Sequence, residues 1–262
     1  MYLIRLLLIA FSLFACATGT YGQRQNIQNY TSRNGLADQI VNFAFQDKDG
    51  YIWFATQSGV TIYNGNTFED FVPSEELKGI DAVCLTQTSD GAIWIGTNTD
   101  GVFRYDYSKL THYTTKSGLP SEVIRSFYVD QAGKLWAATE SGVAYFEKSH
   151  WTKFEDTEKK LNDGALSIAQ TVNGNYWFGT QGHGLISYNS KSFSYHETAV
   201  VDTYIFSLKN IGNTLYIGTT SEGLHSYSNG VFSKIDNPDI DNAWISNIIA
   251  YKDGIAIISS NG

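Results

Sequence analysis

The feature that most restricts the fold is a short segment that the sequence repeats. Residues 49–56 read DGYIWFAT, and five further copies follow: DGAIWIGT (90–97), GKLWAAT (133–139), GNYWFGT (174–180), LYIGT (215–219) and a weaker DGIAIISS (253–260). Intervals of 41, 42, 41, 39 and 41 residues separate the anchor positions of these copies, which we place at Trp53, Trp94, Trp136, Trp177, Tyr216 and Ile257. A period near forty residues indicates a repeat architecture.

Each repeat contains four short segments that are typical of β-strands. In the first repeat, aromatic and β-branched residues alternate over residues 40–45, 51–56, 60–63 and 67–71, with Asp-Gly and Asn-Gly turns between them. A four-stranded meander of about forty residues matches the blade of a β-propeller. We therefore predict an all-β protein, a propeller of four-stranded antiparallel blades with five full repeats, part of a sixth, and a ring completed by residues beyond 262.

Within a repeat, the anchor tryptophan is expected to fill the space between neighbouring blades, because its large ring suits the wedge between two sheets. The alternative is a stack of solvent-facing, ligand-binding tryptophans. Thr56, at the end of the second strand, is expected to form a local hydrogen bond. The Asp-Lys-Asp-Gly segment at residues 47–50 is interpreted as a plain β-turn, since the other oxygen ligands of a calcium loop are absent.

The N-terminus differs from the rest of the chain. Residues 1–22 contain one basic residue, Arg5, followed by an apolar run and then by small and polar residues, which is the pattern of a secretory signal peptide. We predict cleavage after Gly22, with residues 23–262 forming the propeller; lipoprotein processing at Cys16 is the alternative. Either route predicts export to the periplasm. Cys84 is then the remaining cysteine, and its apolar strand predicts a buried, inert thiol.

Composition excludes some classes of partner and chemistry. The formal net charge of −8 disfavours nucleic acid, which requires a basic face. The five histidines show no metal-ligand spacing, and the glycines follow the turn period and form no phosphate loop. We therefore predict no metal, no cofactor and no enzymatic activity for these residues. Some propellers are lyases or glycosidases, which leaves an enzyme as a lesser alternative.

The two ends of the repeat region raise the question of how the ring closes. Residues 30–36 (YTSRNGL) resemble residues 113–119 (YTTKSGL) in register with the tryptophans, so residues 26–32 are predicted to hold a fourth strand of a preceding blade. Residues 244–249 and 255–260 supply two strands of a sixth blade. Because an open sheet edge is a liability for a folded protein, we predict that the chain is an N-terminal fragment of a longer protein.

These motifs resemble the two-component regulator propeller repeat. The resemblance rests on Gly35-Leu36, on DGYIWFAT (49–56), on Gly59-Val60 and on YNGNTF (63–68), and the third repeat, from GLPS at residues 118–121 to Gly142-Val143, matches more closely still. It extends over residues 30–262. Tyr216 and Ile257 depart from the pattern, since the family has tryptophan at these positions.

The resemblance implies an extracytoplasmic sensor input domain, of the kind found in hybrid two-component systems of Bacteroidetes. In such proteins a membrane helix and a histidine kinase or DNA-binding output follow the propellers, and many members respond to oligosaccharides. The expected partners are therefore an oligosaccharide or other small polar ligand and the C-terminal domains of the same chain; a second copy of the chain, forming a homodimer, is a further alternative. A secreted scaffold propeller that binds protein is the alternative.

Chain direction predicts where a ligand would bind. In a blade whose strands run alternately up and down, the turn after the second strand and the crossover into the next blade lie on the same face. This face would gather polar turn residues around one aromatic side chain, a combination that suits the hydroxyl groups of a sugar. The candidate ligand-binding residues are Gln57, Asp100, Glu140, His183, Glu222 and Trp244; ordinary solvated turns are the alternative.

Overall fold

A computed structural model describes residues 29–69, 74–196, 200, 202–252 and 254–260. The chain divides into two compact units, Met1–Tyr30 and Thr31–Gly262, and the architecture below is that of the second unit. The predicted signal peptide, residues 1–22, lies outside the described residues.

The described residues form a succession of antiparallel sheets, five with four strands and one with two, each in sequential strand order. Blades 1 to 3 consist of β1 (Val41–Gln46), β2 (Ile52–Thr56), β3 (Gly59–Tyr63), β4 (Phe68–Glu69); β5 (Ala82–Gln87), β6 (Ile93–Thr97), β7 (Val102–Tyr105), β8 (Leu110–Tyr113); and β9 (Ile124–Val129), β10 (Leu135–Thr139), β11 (Gly142–Glu147), β12 (His150–Phe154). Blades 4 to 6 consist of β13 (Ala165–Gln170), β14 (Tyr176–Thr180), β15 (Leu185–Tyr188), β16 (Phe193–Tyr195); β17 (Ile205–Ile211), β18 (Thr214–Thr219), β19 (Leu224–Ser228), β20 (Val231–Lys234); and β21 (Ile245–Tyr251), β22 (Gly254–Ser259).

Helical segments occur only as short turns in the described part of the chain. They are α1 (Ser74–Leu77) and the 3-10 helices Ser32–Asn34, Thr115–Ser117 and Lys160–Asp163. The first strand of each blade lies beside the first strand of the next, in the series β1, β5, β9, β13, β17, β21. The predicted propeller of four-stranded blades, with part of a sixth, is confirmed.

The anchor tryptophans lie between blades, as predicted, and are not exposed. Trp53, Trp94, Trp136 and Trp177 are all buried. The ring of Trp177 contacts Tyr227 of blade 5 at a centroid distance of 4.7 Å, and that of Trp94 contacts Phe146 of blade 3 at 4.6 Å. Each anchor therefore faces the blade that follows it, and a stack of solvent-facing tryptophans is excluded.

The indole N–H of each of the four anchor tryptophans has a partner six residues earlier, in the turn between the first two strands. Trp53 and Trp136 donate to Asp47 and Asp130, both at 2.8 Å, while Trp94 and Trp177 donate to the hydroxyls of threonines 88 and 171. The second carboxylate oxygen of Asp47 accepts from the backbone N–H groups of Asp49 and Tyr51. The Asp-Lys-Asp-Gly segment is thus a capped turn that binds an indole.

The threonine three residues after each anchor ends its strand through a local hydrogen bond, as predicted. Its hydroxyl donates to a glycine carbonyl across the turn at 2.8–2.9 Å in all five four-stranded blades, from threonines 56, 97, 139, 180 and 219. These threonines are completely buried. We call this contact the threonine clasp.

Adjacent blades approach closely where the second strand carries a glycine two residues after the anchor. A Cβ atom added to Gly96 would lie 2.7 Å from Cγ2 of Ile124 in blade 3, and one added to Gly218 would lie 2.8 Å from Cγ2 of Ile245 in blade 6. Cys84 packs in the same junction as Gly96 and is buried, as predicted. Burial strongly raises the pKa of its thiol, which keeps it protonated and inert.

The sixth anchor was predicted one residue too late. Each anchor in blades 1 to 5 pairs with the fifth residue of the first strand of its blade. Examples are Trp177 with Ala169 and Tyr216 with Lys209. In blade 6 the equivalent pair is Ala256 with Ile249, while Ile257 pairs with Ile248 and packs towards blade 5. Because side chains alternate between the faces of a strand, Ile257 faces backward. Without an aromatic residue, the spacing alone did not locate the anchor.

The predicted strand over residues 26–32 is not found where it can be tested. Residues 26–28 lie outside the described residues, positions 29–31 are not in a strand, and Ser32 begins a 3-10 helix. The resemblance to residues 113–119 has another basis. Thr31 and Thr114 each form a capping box on a short 3-10 helix that ends at a left-handed glycine, with φ of 107° at Gly35 and 94° at Gly118.

Candidate ligand-binding rim

The predicted site residues lie at one end of the blades, which we call the rim: the turns between second and third strands together with the crossovers into first strands. Backbone hydrogen bonds join the two sets of segments. Gln57 N donates to the carbonyl of Ile40 at 3.2 Å, and Glu140 N donates to the carbonyl of Val123 at 3.0 Å. At blade 6, Ser260 N donates to the carbonyl of Trp244 at 3.0 Å. The predicted sharing of one face is therefore observed.

Three of the candidates are structurally equivalent. In blades 2, 4 and 5 the threonine clasp spans a longer turn, and the threonine hydroxyl also accepts the backbone N–H of Asp100 (2.8 Å), His183 (3.0 Å) or Glu222 (2.9 Å). The backbone at these positions is fixed by the clasp. Their side chains are therefore free to differ between repeats without any change in the scaffold.

The shorter turns of blades 1 and 3 place Gln57 and Glu140 at the exposed tip. In both cases the clasp closes over three residues, from Thr56 to Gly59 and from Thr139 to Gly142. The rim thus presents two kinds of turn. A short turn carries an amide or a carboxylate at its first position, and a long turn carries an acid or a histidine at its third.

Three of the candidates in the turns pair with a neighbour that is not another candidate. Glu140 accepts from Nη2 of Arg125 at 3.2 Å, and Glu222 lies 3.6 Å from Nζ of Lys234. Nε2 of His183 lies 2.7 Å from Oδ2 of Asp163. Because these pairs are substantially exposed, each contributes little to stability. They can be exchanged for contacts with a ligand at small cost.

Carboxylates on the crossovers hold the turns in place, a feature that the sequence analysis missed. Asp38 accepts a 2.7 Å hydrogen bond from the hydroxyl of Ser58, and Asp81 accepts from Nδ2 of Asn98 at 3.1 Å. Asp202 accepts both the backbone N–H and the hydroxyl of Ser221. The signal that could have located them is an aspartate within a few residues of the first strand in several repeats.

These contacts also set the charge of the carboxylates. Burial opposes ionisation of Asp202, but hydrogen bonds from the backbone of Tyr204, from Thr220 and from Ser221 outweigh it and hold the pKa of Asp202 below its ordinary value. Hydrogen bonds from the backbone of Ile40 and from Ser58 lower the pKa of Asp38. Both groups are therefore anionic at neutral pH, and they add negative charge to the rim.

Aromatic side chains are concentrated on one sector of the rim. Trp244 is 42% exposed and contacts Phe206 edge to face at a centroid distance of 4.8 Å. Tyr204, 43% exposed, immediately precedes the first strand of blade 5, as Trp244 does in blade 6. The sequence analysis named Trp244 but not Tyr204 or Phe206. With the sixth anchor placed at Ile257, the alignment of the repeats set positions 204 and 244 one residue out of register, so it did not show that they are equivalent.

Two searches of the described residues were negative. No set of three or more histidine, cysteine, aspartate or glutamate side chains within them is placed to hold a metal ion. Within the same residues, no helix has the length and apolar character needed to cross a membrane.

The fold and rim define a β-propeller whose blades share one scaffold and differ at their tips. A family model described as the two component regulator propeller matches three segments of the chain, residues 35–58, 76–99 and 118–141, which contain the first two strands of blades 1, 2 and 3. The resemblance predicted from the sequence is therefore confirmed.

Among curated proteins, the chain is similar to histidine kinase P4 of Formosa agariphila, with 27% identity over 179 residues. The match covers 67% of this chain but 10% of that kinase. The chain thus spans a small part of the length of its curated relative.

Among solved structures, the chain is similar to the extracellular domain of the hybrid two component system BT3049 from B. thetaiotaomicron. The TM-score is 0.74 at 22% identity, and the match covers 90% of this chain and 34% of that domain. Virginiamycin B lyase from Staphylococcus aureus shares the architecture with a TM-score of 0.60 at 15% identity, covering 74% of this chain and 69% of the lyase. At such identities the likeness concerns the fold and transfers no activity.

Proposed function

We propose that residues 23–262 are the extracytoplasmic, ligand-sensing propeller module of a two-component signal transduction protein. The observation that carries the proposal is the match of three blades to two component regulator repeats. The similarity to a histidine kinase and to the extracellular part of a hybrid system supports it. On this proposal the chain is exported to the periplasm, and further domains of the same protein, including a membrane helix and an output domain, follow residue 262.

The proposed ligand is an oligosaccharide or a similarly polar small molecule bound at the rim. The rim supplies the amide of Gln57 and the carboxylates of Asp100 and Glu222 as partners for hydroxyl groups, and the exposed rings of Tyr204 and Trp244 as stacking surfaces. A sugar presents hydroxyl groups at its edge and C–H groups on its faces. It would therefore use both kinds of group at once.

The test is thermal unfolding of the full extracytoplasmic region with a panel of oligosaccharides. A ligand that binds the folded state raises Tm in proportion to its concentration relative to Kd. The variant Tyr204→Ala should weaken binding of such a ligand by about five- to thirtyfold, since loss of a stacking ring costs about 1–2 kcal/mol. Tyr51→Ala is the matched control, because Tyr51 is 40% exposed but lies in the turn at the opposite end of blade 1.

The second candidate is a scaffold that binds protein at the same rim. The aromatic sector formed by the exposed Tyr204 and Trp244 and the half-buried Phe206 favours it, since aromatic residues are enriched in protein interfaces. Two results together would favour this candidate over the sensor proposal. The first is that no saccharide raises Tm, and the second is that a protein co-purifies with the Tyr51→Ala variant but not with the Tyr204→Ala variant.

A further inference from the structure

At each of the five junctions between described blades, the second strand of the earlier blade presents one large and one small side chain to the next blade. The anchor is large, and the residue two positions later is small: Ala55, Gly96, Ala138, Gly179 and Gly218. These small residues are all buried. The first strand of the following blade approaches the small residue, as the distance of 2.9 Å between a Cβ added to Gly179 and Cγ2 of Ile205 indicates. On the second strand of the earlier blade, the large side chain therefore lies at the anchor and the small one at the position of close approach.

Blade 6 has the opposite arrangement, with the small residue at the anchor position and the large residue at the position of close approach. Strand pairing places Ala256 at the anchor position and Ile258 at the position of close approach. Ile258 is 56% exposed, whereas its equivalents in the other blades are buried. Ile249 and Tyr251, 45% and 56% exposed, lie on the same face of the sheet, because strand side chains alternate. The opposite face, with Ile248, packs on blade 5.

We propose that this exposed face of blade 6 packs against a further blade of the same chain. In this junction, which we call inverted, the positions of the large and the small side chain are exchanged relative to the other five. The incoming blade would place a large apolar side chain over Ala256 and a small residue against Ile258. The occupant follows from continuity, since the equivalent face of every preceding blade is covered by the next one. The proposal rests on the proposed function in one respect, namely that the chain continues past residue 262.

The geometry excludes a junction like the other five. At three of those junctions, even one methyl group at the close-approach position would meet the next first strand at less than 3.0 Å. Ile258 carries a branched side chain of four carbons at this position. A next blade built like its predecessors would therefore clash with Ile258 and leave a cavity over Ala256, and both defects are destabilising.

The test uses the full extracytoplasmic region and two substitutions that would restore the ordinary junction, Ala256→Trp and Ile258→Gly. If the junction is inverted, each alone lowers Tm by about 3 °C or more, through overpacking in the first case and a cavity in the second. Tyr216→Trp is the control, because Tyr216 faces blade 6 across an ordinary junction. It should change Tm by less than about 2 °C.

A rise in Tm for Ala256→Trp would overturn the proposal. So would a concentration-dependent dimer that Ile258→Asp dissociates, which would make a second copy the occupant. Neither of these results bears on ligand binding at the rim. Failure of the inverted junction and failure of the sensor proposal are therefore distinguishable.

Discussion

The indole nitrogen of Trp136 lies 2.8 Å from Oδ2 of Asp130, and both residues are buried. The same carboxylate oxygen accepts a 2.7 Å hydrogen bond from the hydroxyl of Tyr176 in the next blade. Its other oxygen accepts the backbone N–H groups of Ala132 and Lys134. One carboxylate thus closes a turn, satisfies an inter-blade tryptophan and joins blades 3 and 4.

Removing this carboxylate should be costly. Asp130→Ala leaves the indole of Trp136 and the hydroxyl of Tyr176 without their acceptor in a buried site, and we expect the free energy of unfolding to fall by about 2–4 kcal/mol. Urea denaturation measures the change. Asp49→Ala, in an exposed turn position of blade 1, should cost less than about 0.5 kcal/mol. Equal effects of the two variants would show that the inter-blade role of Asp130 is wrong.

Acid should weaken the protein through the same carboxylate and through Asp156 and Asp202. Burial opposes their ionisation, but hydrogen bonds outweigh it, so the pKa of each lies below its ordinary value of 3.8 in the folded state. A lowered pKa contributes stability above the ordinary value, and this contribution is lost as the pH falls through the folded-state pKa. Urea midpoints should therefore be steady from pH 7 to about 5 and fall below about 4. Asp130→Asn should show a shallower fall; an unchanged slope would contradict this assignment.

The close approach between blades can be tested at Gly218. In Gly218→Ala the new methyl group would meet the hydroxyl of Ser207 and Cγ2 of Ile245, the latter at 2.8 Å. We expect a loss of about 1–3 kcal/mol in urea denaturation, as for other overpacked sites. Gly254→Ala is the control, because its methyl group would meet nothing nearer than 3.9 Å. A Gly218→Ala variant as stable as this control would mean that the blades can separate freely.

Export and processing of the N-terminus remain predictions from the sequence. The mature protein isolated from its native host should begin at Gln23, with the loss of residues 1–22 and no lipid. Intact-mass measurement distinguishes this result from a diacylated or triacylated N-terminus at Cys16. A Cys16→Ser variant should then be processed and exported normally, whereas lipoprotein processing would be abolished by it.

What the sequence predicted well follows from local, periodic constraints. Trp53 and Thr56 were placed correctly because a strand between turns fixes which residues face the next blade and which residue ends the strand. The role of Asp47 was not predicted because it depends on a hydrogen bond from the indole of Trp53, a contact that forms only once the turn between them is folded. Ala256 was missed because a small residue carries no signal of its own; only strand pairing identifies it.

The site was predictable in location but not in composition. Alternation of strand direction was enough to place His183 and Glu222 on one face. The pairing of His183 with Asp163 could not be foreseen, since it depends on the path of a crossover that contains a 3-10 helix. The equivalence of Tyr204 and Trp244 required the exact start of two strands, which periodicity locates only to within a few residues.

The threonine clasp has a consequence for how such a protein can change over time. It closes each turn from within, by a buried hydroxyl and a glycine carbonyl, and in the longer turns it also holds the N–H at the tip. Substitutions at the tip therefore do not propagate into the sheet. The five turns can therefore change in sequence independently of one another. A few substitutions at their tips could give the domain a different ligand preference while the residues that determine its folding stay the same.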